Sequence, residues 1–209
     1  QKLVNYLASL KYWADPDSGI WEEGEEIHAS SVGACLAGLK MIKNLSGIDV
    51  SNEVIKRGEE TLAQLLPRES SSKFVDLALL SLIWPYKVTT KTQTLEILKN
   101  VEYHLLRKKG VIRYKNDKYY NRNLDGYSEE AEWTFGLSWL SIIYANLGDE
   151  KKASFFLKRA MKTTTKKGEV PELYFSNSDK PNENTPLSWS ESLLIVALYE
   201  VNKKHLAKK

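Results

Sequence analysis

Cysteine is almost absent from this 209-residue chain: Cys35 stands alone, which excludes an internal disulfide framework and agrees with a reducing, cytoplasmic setting. Histidine is scarce too. Three histidines set far apart, with one cysteine, offer no ligand spacing for zinc. No apolar run approaches the roughly 18 residues that span a bilayer, and the opening QKLVNYLASLKYWAD reads as an amphipathic helix rather than a signal peptide. Net charge is small: 30 basic against 27 acidic residues leave +3. That is too even a balance for a nucleic-acid partner, so RKKG, TKKG and the terminal HLAKK read as solvated helix ends.

What is present is ordinary in bulk and unusual in detail. Hydrophobic residues at 42% and charged residues at 27% describe a globular chain able to bury one sizeable core. Six tryptophans and eleven tyrosines are generous for the length, and several fall in polar stretches beside Asp, Asn, Glu and Arg. Rings in such loops suit carbohydrate, whose C–H faces stack on them.

Helical periodicity dominates. Val32, Cys35, Leu36, Leu39 and Ile42 mark one apolar stripe, and Leu95, Leu98, Val101 and Leu105 a second. Trp133, Leu137, Leu140 and Tyr144 predict a third helix, and Leu193, Leu194, Ala197 and Val201 a last. SNEVIKRGEETLAQLLP and SSKFVDLALLSLIWP read as helices stopped by Pro67 and Pro85. In NLGDEKKA, Gly148 ends one helix and Asp149 caps the next. The count comes to about eight helices, all-α. Short connections alternate with long, chemically rich ones at 15–27, 67–72, 109–128 and 164–187, the pattern of helical hairpins whose long loops open at one end. A helical-repeat scaffold would also alternate, but no motif recurs at fixed period.

Three of the rich loops carry a resemblance. DSGIWEEGEEIHASSVGACLAGL, with Trp21-Glu22-Glu23 at a loop-to-helix junction, resembles the general-acid segment of glucoamylase-type inverting glycosidases, glycoside hydrolase family 15. GVIRYKNDKYYN, with Arg113 and Asp117, looks like that family's sugar-clamping loop, although the same pair alone reads as a surface ion pair. GEVPELYFSNSDKPNENTPLSWSESLLIVAL resembles the general-base segment, with Glu172 as base and Trp189 lining the glucose pocket. SEEAEWTFGLSWLSIIYANLG is similar to the helix after the clamping loop, and its Trp133, Phe135 and Trp139 read as core.

The resemblance implies an (α/α)6 toroid of helical hairpins. It takes 1–209 as a single all-α domain, the C-terminal two thirds of the family's catalytic domain, without the N-terminal part of the ring. Such an incomplete ring would expose apolar helix faces at two edges and would need the missing N-terminal part, from the same protein or another chain, as its partner. The implied substrate is an α-glucan or oligosaccharide cleaved from its non-reducing end. Glu22 would be the general acid, Glu172 the general base, and Trp21, Glu23, Arg113, Asp117 and Trp189 the sugar contacts. An inverting pair needs a protonated carboxyl on the leaving oxygen and an ionised one holding water, about 6.5–9.5 Å apart. Trp21 and the charges of Glu23, Glu25 and Glu26 are the expected means of keeping Glu22 protonated. No metal and no cofactor is called for. After Asn121, RNLDG lacks the Asn-Pro-Trp common in fungal members, which implies different outer subsites. Hydrolysis of trehalose or α-1,6-glucans, a catalytically silent regulatory or glycan-binding domain, and a tetratricopeptide-like scaffold remain as alternatives.

Overall fold

The computed structural model describes residues 1–45, 47–121 and 129–206. The RNLDG stretch at 122–126 and the last three residues of the basic HLAKK end lie outside the described residues. Among the described residues eight α-helices and two two-residue strands fall into two compact units, divided between Asn100 and Val101.

In the first unit, α1 (Lys2–Leu10) ends at Lys11, whose left-handed φ of 57° lets its N–H reach the Ala8 carbonyl. The predicted stripe on α2 (Ala29–Ile42) supplies core: Val32, Leu36 and Leu39 are each 1% exposed. α2 packs on α3 (Asn52–Leu65) and α4 (Leu80–Ile83). It approaches α4 so closely that a methyl on Gly33 would stand 2.1 Å from a Leu82 methyl. α3 starts where the Ser51 side chain accepts from the Glu53 N–H at 3.2 Å.

SSKFVDLALLSLIWP departs from its helical reading. The helix is confined to Leu77–Leu79, a single 3-10 turn, and the four residues of α4. The Asp76 side chain accepts from the Ala78 N–H at 2.7 Å and starts that turn. Every residue from Val75 to Ile83 is buried, so the run is an interior segment, not one face of a surface helix. Period alone does not separate these cases.

In the second unit, α6 (Phe135–Leu147) packs against α7 (Glu150–Met161) and α8 (Ser188–Leu206). It is buried without interruption from Phe135 to Tyr144. Gly148 (φ 81°) and Asp149, which accepts from the Lys152 N–H at 2.9 Å, form the expected corner between α6 and α7. α5 (Lys91–His104), which belongs to the first unit up to Asn100, turns Ile97, Leu98 and Val101 inward, whereas Leu95 of the predicted stripe is 56% exposed.

Trp133 is the other correction. It stands in β1 (Glu132–Trp133), which pairs antiparallel with β2 (Leu173–Tyr174), rather than in the helix. Trp133 also exchanges backbone hydrogen bonds with Val111 at 3.0 and 3.1 Å. The ladder depends on Gly110, where a methyl would fall 2.5 Å from the Trp133 carbonyl oxygen. Large apolar side chains stay exposed on α1 (Leu3, Tyr6) and, in the other unit, on α8 (Ile195, Tyr199).

Candidate active site

Trp21, Glu22 and Glu23 occupy a tight turn ahead of α2. The Glu22 and Glu23 N–H groups donate to the Gly19 and Ser18 carbonyls, and Glu22 adopts a left-handed φ of 53°. That region is uncommon for a side-chain-bearing residue. Glu22 is exposed, and among the described residues its carboxylate accepts no hydrogen bond.

Its neighbours are engaged elsewhere. The Trp21 indole N–H donates to both Asp76 oxygens, at 2.9 and 3.1 Å. The Lys73 ammonium lies 2.8 Å from Glu23 Oε2 and 3.9 Å from Asp76 Oδ2. Glu26 is wrapped by the loop at 70–72, accepting from Ser70 Oγ at 2.7 Å, from the Ser72 N–H at 3.1 Å and from the Ser71 and Ser72 hydroxyls. Of the three carboxylates expected to press on Glu22, two therefore spend their charge on Lys73 and on the serine loop.

Sequence reasoning named the 67–72 loop as rich but missed its residues. Glu69 is 1% exposed, accepts from Ser30 Oγ at 2.5 Å and lies 3.7 Å from His28 Nδ1. The Glu69 hydrogen bond raises the His28 pKa above its ordinary value; burial opposes this and the Glu69 charge reinforces it. Asp76 is fully buried. Burial first, and then the Glu69 charge, push its pKa up to about 7, against the Ala78 and Trp21 N–H donors and Lys73. Burial would also raise Glu26, but hydrogen bonds from Ser71, Ser72 and Ser70 outweigh it and hold that pKa down at about 2. An unpromising "ESSSK" gave no periodic or motif signal for any of this; the only cue was its density of short hydroxyls between two helices.

The second unit holds the rest. Arg113 follows the Val111 ladder residue and grips Asp117 through two parallel hydrogen bonds, Nε to Oδ2 and Nη2 to Oδ1, both 2.7 Å. The pair is no surface ion pair: its side chains are 6% and 0% exposed. Aromatic faces stand by the guanidinium, Tyr119 at 4.9 Å and Trp133 at 5.0 Å from ring centre to Cζ. Asp117 Oδ1 also accepts from the Tyr119 N–H at 2.9 Å.

Glu172, 9% exposed, immediately precedes β2. Its carbonyl accepts from the Thr134 N–H at 3.1 Å, and its N–H donates to the Asn184 carbonyl at 3.0 Å. Its Oε2 accepts from Asn182 Nδ2 at 2.5 Å and Asn184 Nδ2 at 2.8 Å. Trp189, in the first turn of α8, stacks on Phe135 at 4.3 Å and 14° and tilts against Trp139 at 6.4 Å. Thr134 Oγ1 lies 3.1 Å from Ser190 Oγ, tying that turn to the end of β1. Phe135, Trp139 and Trp133 are buried, as their reading as core requires. Each unit thus assembles its own predicted residues into a connected set: Trp21 and Glu23 with Asp76 and Lys73 in the first, and Arg113 with Asp117, Glu172 and Trp189 around β1 in the second. Among the described residues no group of His, Cys, Asp and Glu is arranged to hold a metal ion, and no helix is long and apolar enough to cross a membrane.

No family profile matches the chain. Among curated proteins it is similar to a probable phosphorylase b kinase regulatory subunit alpha of Caenorhabditis elegans, 28% identical over 94% of this chain and 21% of that protein. It is also similar to an uncharacterized glycosyl hydrolase of Methanocaldococcus jannaschii, 23% identical over 97% of this chain and 37% of that protein. Among solved structures it matches a glycosidase with a TM-score of 0.78 at 22% identity, over 95% of this chain and 58% of that one. A bacterial glucoamylase complexed with acarbose matches with a TM-score of 0.72 at 14% identity, over 96% and 37%. The chain therefore has the glucoamylase-like helical fold and spans 21% and 37% of the length of these two curated relatives.

Proposed function

We propose that this chain belongs to an inverting glycoside hydrolase that releases glucose from the non-reducing ends of α-linked glucans, with Glu22 as general acid and Glu172 as general base. The observation that carries the reading is Glu172. Two carboxamide donors converge on one oxygen of a carboxylate that is almost buried, a costly arrangement for a group with only a packing role. The unmatched oxygen is where a base would hold its water. On this assignment Arg113, with Asp117 fixing its guanidinium, and Glu23 contact sugar hydroxyls, while Trp21 and Trp189 supply apolar faces. In this reading further helical hairpins of the same protein cover the apolar side chains exposed on α1 and on α8. The likeness to a glycosidase matched over 58% of its length supports that part.

A second reading has its own support. The phosphorylase b kinase regulatory subunit is the more identical of the two curated relatives described, which favours a catalytically silent, glycan-binding or regulatory domain. The test is glucose release by the intact protein from maltose, isomaltose and trehalose, with Glu22→Gln and Glu172→Gln alongside. Turnover lowered by orders of magnitude by each substitution is the expected result, and the preferred sugar assigns the linkage. No turnover, with tryptophan fluorescence still reporting saturable binding of maltose oligosaccharides, would establish the silent reading instead.

A further inference from the structure

The loop after Glu172 returns on itself. The Asn182 N–H donates to the Leu173 carbonyl at 3.2 Å, Tyr174 bridges Pro181, and the Glu172 N–H reaches the Asn184 carbonyl at 3.0 Å. These backbone bonds set the returning strand beside Glu172 so that alternate residues, Asn182 and Asn184, face its carboxylate while Glu183 between them faces the Tyr120 hydroxyl. A carboxylate is acceptor-only, so the amide nitrogens, not the oxygens, must point at it.

We infer that Asn182 and Asn184 are positioning residues for Glu172: they fasten Oε2 and leave Oε1 as the one oxygen presented to the attacking water. Both donors choose the same oxygen, at 2.5 and 2.8 Å. Among the described residues Oε1 accepts nothing, so the two oxygens are differentiated by the protein itself. Asn182 contributes a second feature. Its side chain is 4% exposed, and its Oδ1 is buried with no hydrogen-bond partner. A buried acceptor left open beside the base costs stability unless a donor arrives, and a water or sugar hydroxyl next to Glu172 is such a donor. Asn182 thereby orients the base with its nitrogen and its water or substrate with its oxygen, whereas Asn184, on the exposed side of the loop, only steadies the carboxylate.

This inference rests on the role proposed for Glu172, and its test separates the two. The intact protein is assayed with Asn182→Ala, Asn184→Ala, Glu172→Gln and each alanine combined with Glu172→Gln. Asn182→Ala should lower kcat by about 10²-fold, the scale of an angstrom's misplacement of a reacting group, with KM within about twofold. Asn184→Ala should show a smaller loss of the same kind, and its exposed position keeps folding intact if Asn182→Ala proves unstable. In the Glu172→Gln background Asn184→Ala should cost nothing more, since it acts through the missing carboxylate, and Asn182→Ala should cost far less than in the wild type, keeping only what its Oδ1 contributes directly. Losses that multiply in that background, or a raised KM with kcat unchanged, would overturn the positioning role while leaving the hydrolase reading in place. A wild type that turns over none of the sugars overturns both.

Discussion

Glu22 stands on an exposed turn where no group among the described residues donates to its carboxylate, whereas Glu172 is 9% exposed with two amides fixed on one oxygen. The regions around them differ in the same sense. Near Glu22 the fixed chemistry lies one layer behind, in Asp76, Glu69 and Glu26, which accept from Trp21, Ser30 and the serine loop. Near Glu172 it touches the carboxylate directly. The contrast fits two jobs: a base must keep one geometry for its water, while an acid that gives up its proton to a leaving group can rely on the substrate to complete its surroundings.

The largest test of that contrast is on rate. Glu172→Gln and Glu22→Gln should each lower kcat by about 10²–10⁴-fold, the span of general acid–base catalysis, measured as glucose released. If only Glu172→Gln has an effect, the acid is not Glu22. Next in size is the clamp. Asp117→Ala strands the buried Arg113 guanidinium without its bidentate partner and should cost about 3–5 kcal/mol of unfolding free energy; a loss below 1 kcal/mol, read from urea midpoints, would mean that the pair is held loosely.

Two pH effects of opposite sign follow in the first unit. Asp76 has its pKa raised from 3.8 to about 7, so between those values the folded protein keeps a proton that the unfolded chain has released. Its contribution to stability therefore declines as pH rises through that window. Asp76→Asn should flatten this slope, in thermal melts from pH 4 to 7, by up to a few kcal/mol. Glu26, lowered from 4.5 to about 2, contributes stability above pH 4.5 that is lost as pH falls toward 2. Glu26→Gln should remove that acid-side decline. Its effect is the smallest of the four, because Glu26 is partly open to solvent and its hydrogen bonds compete with water.

How legible was all this in the sequence? Helices with a one-sided stripe, such as Ala29–Ile42, were plain, and so was the Gly148–Asp149 corner, because periodicity and capping are local. Runs buried on every side were not: in Val75–Ile83 the helix shrinks to a 3-10 turn started by Asp76 and the four residues of α4, and Trp133 takes the strand geometry of its ladder to Val111. The same holds at the candidate site. Trp21, Glu22, Arg113, Asp117 and Glu172 could be named from spacing and resemblance, yet the burial that turns Arg113 and Asp117 from a surface pair into a clamp depends on Tyr119 and Trp133 folding over it. Asn182, Asn184 and Asp76 had no motif to mark them, since their roles arise only when a loop closes back or a turn packs against another.

The most direct test of the two-carboxylate account is the anomer first formed from a maltose oligosaccharide by the intact protein, followed by proton NMR before mutarotation equilibrates it. Water held by Glu172 on the face opposite the leaving group predicts β-glucose first. Prompt appearance of α-glucose would contradict the account, because it requires a carboxylate acting as nucleophile rather than as the base that holds water.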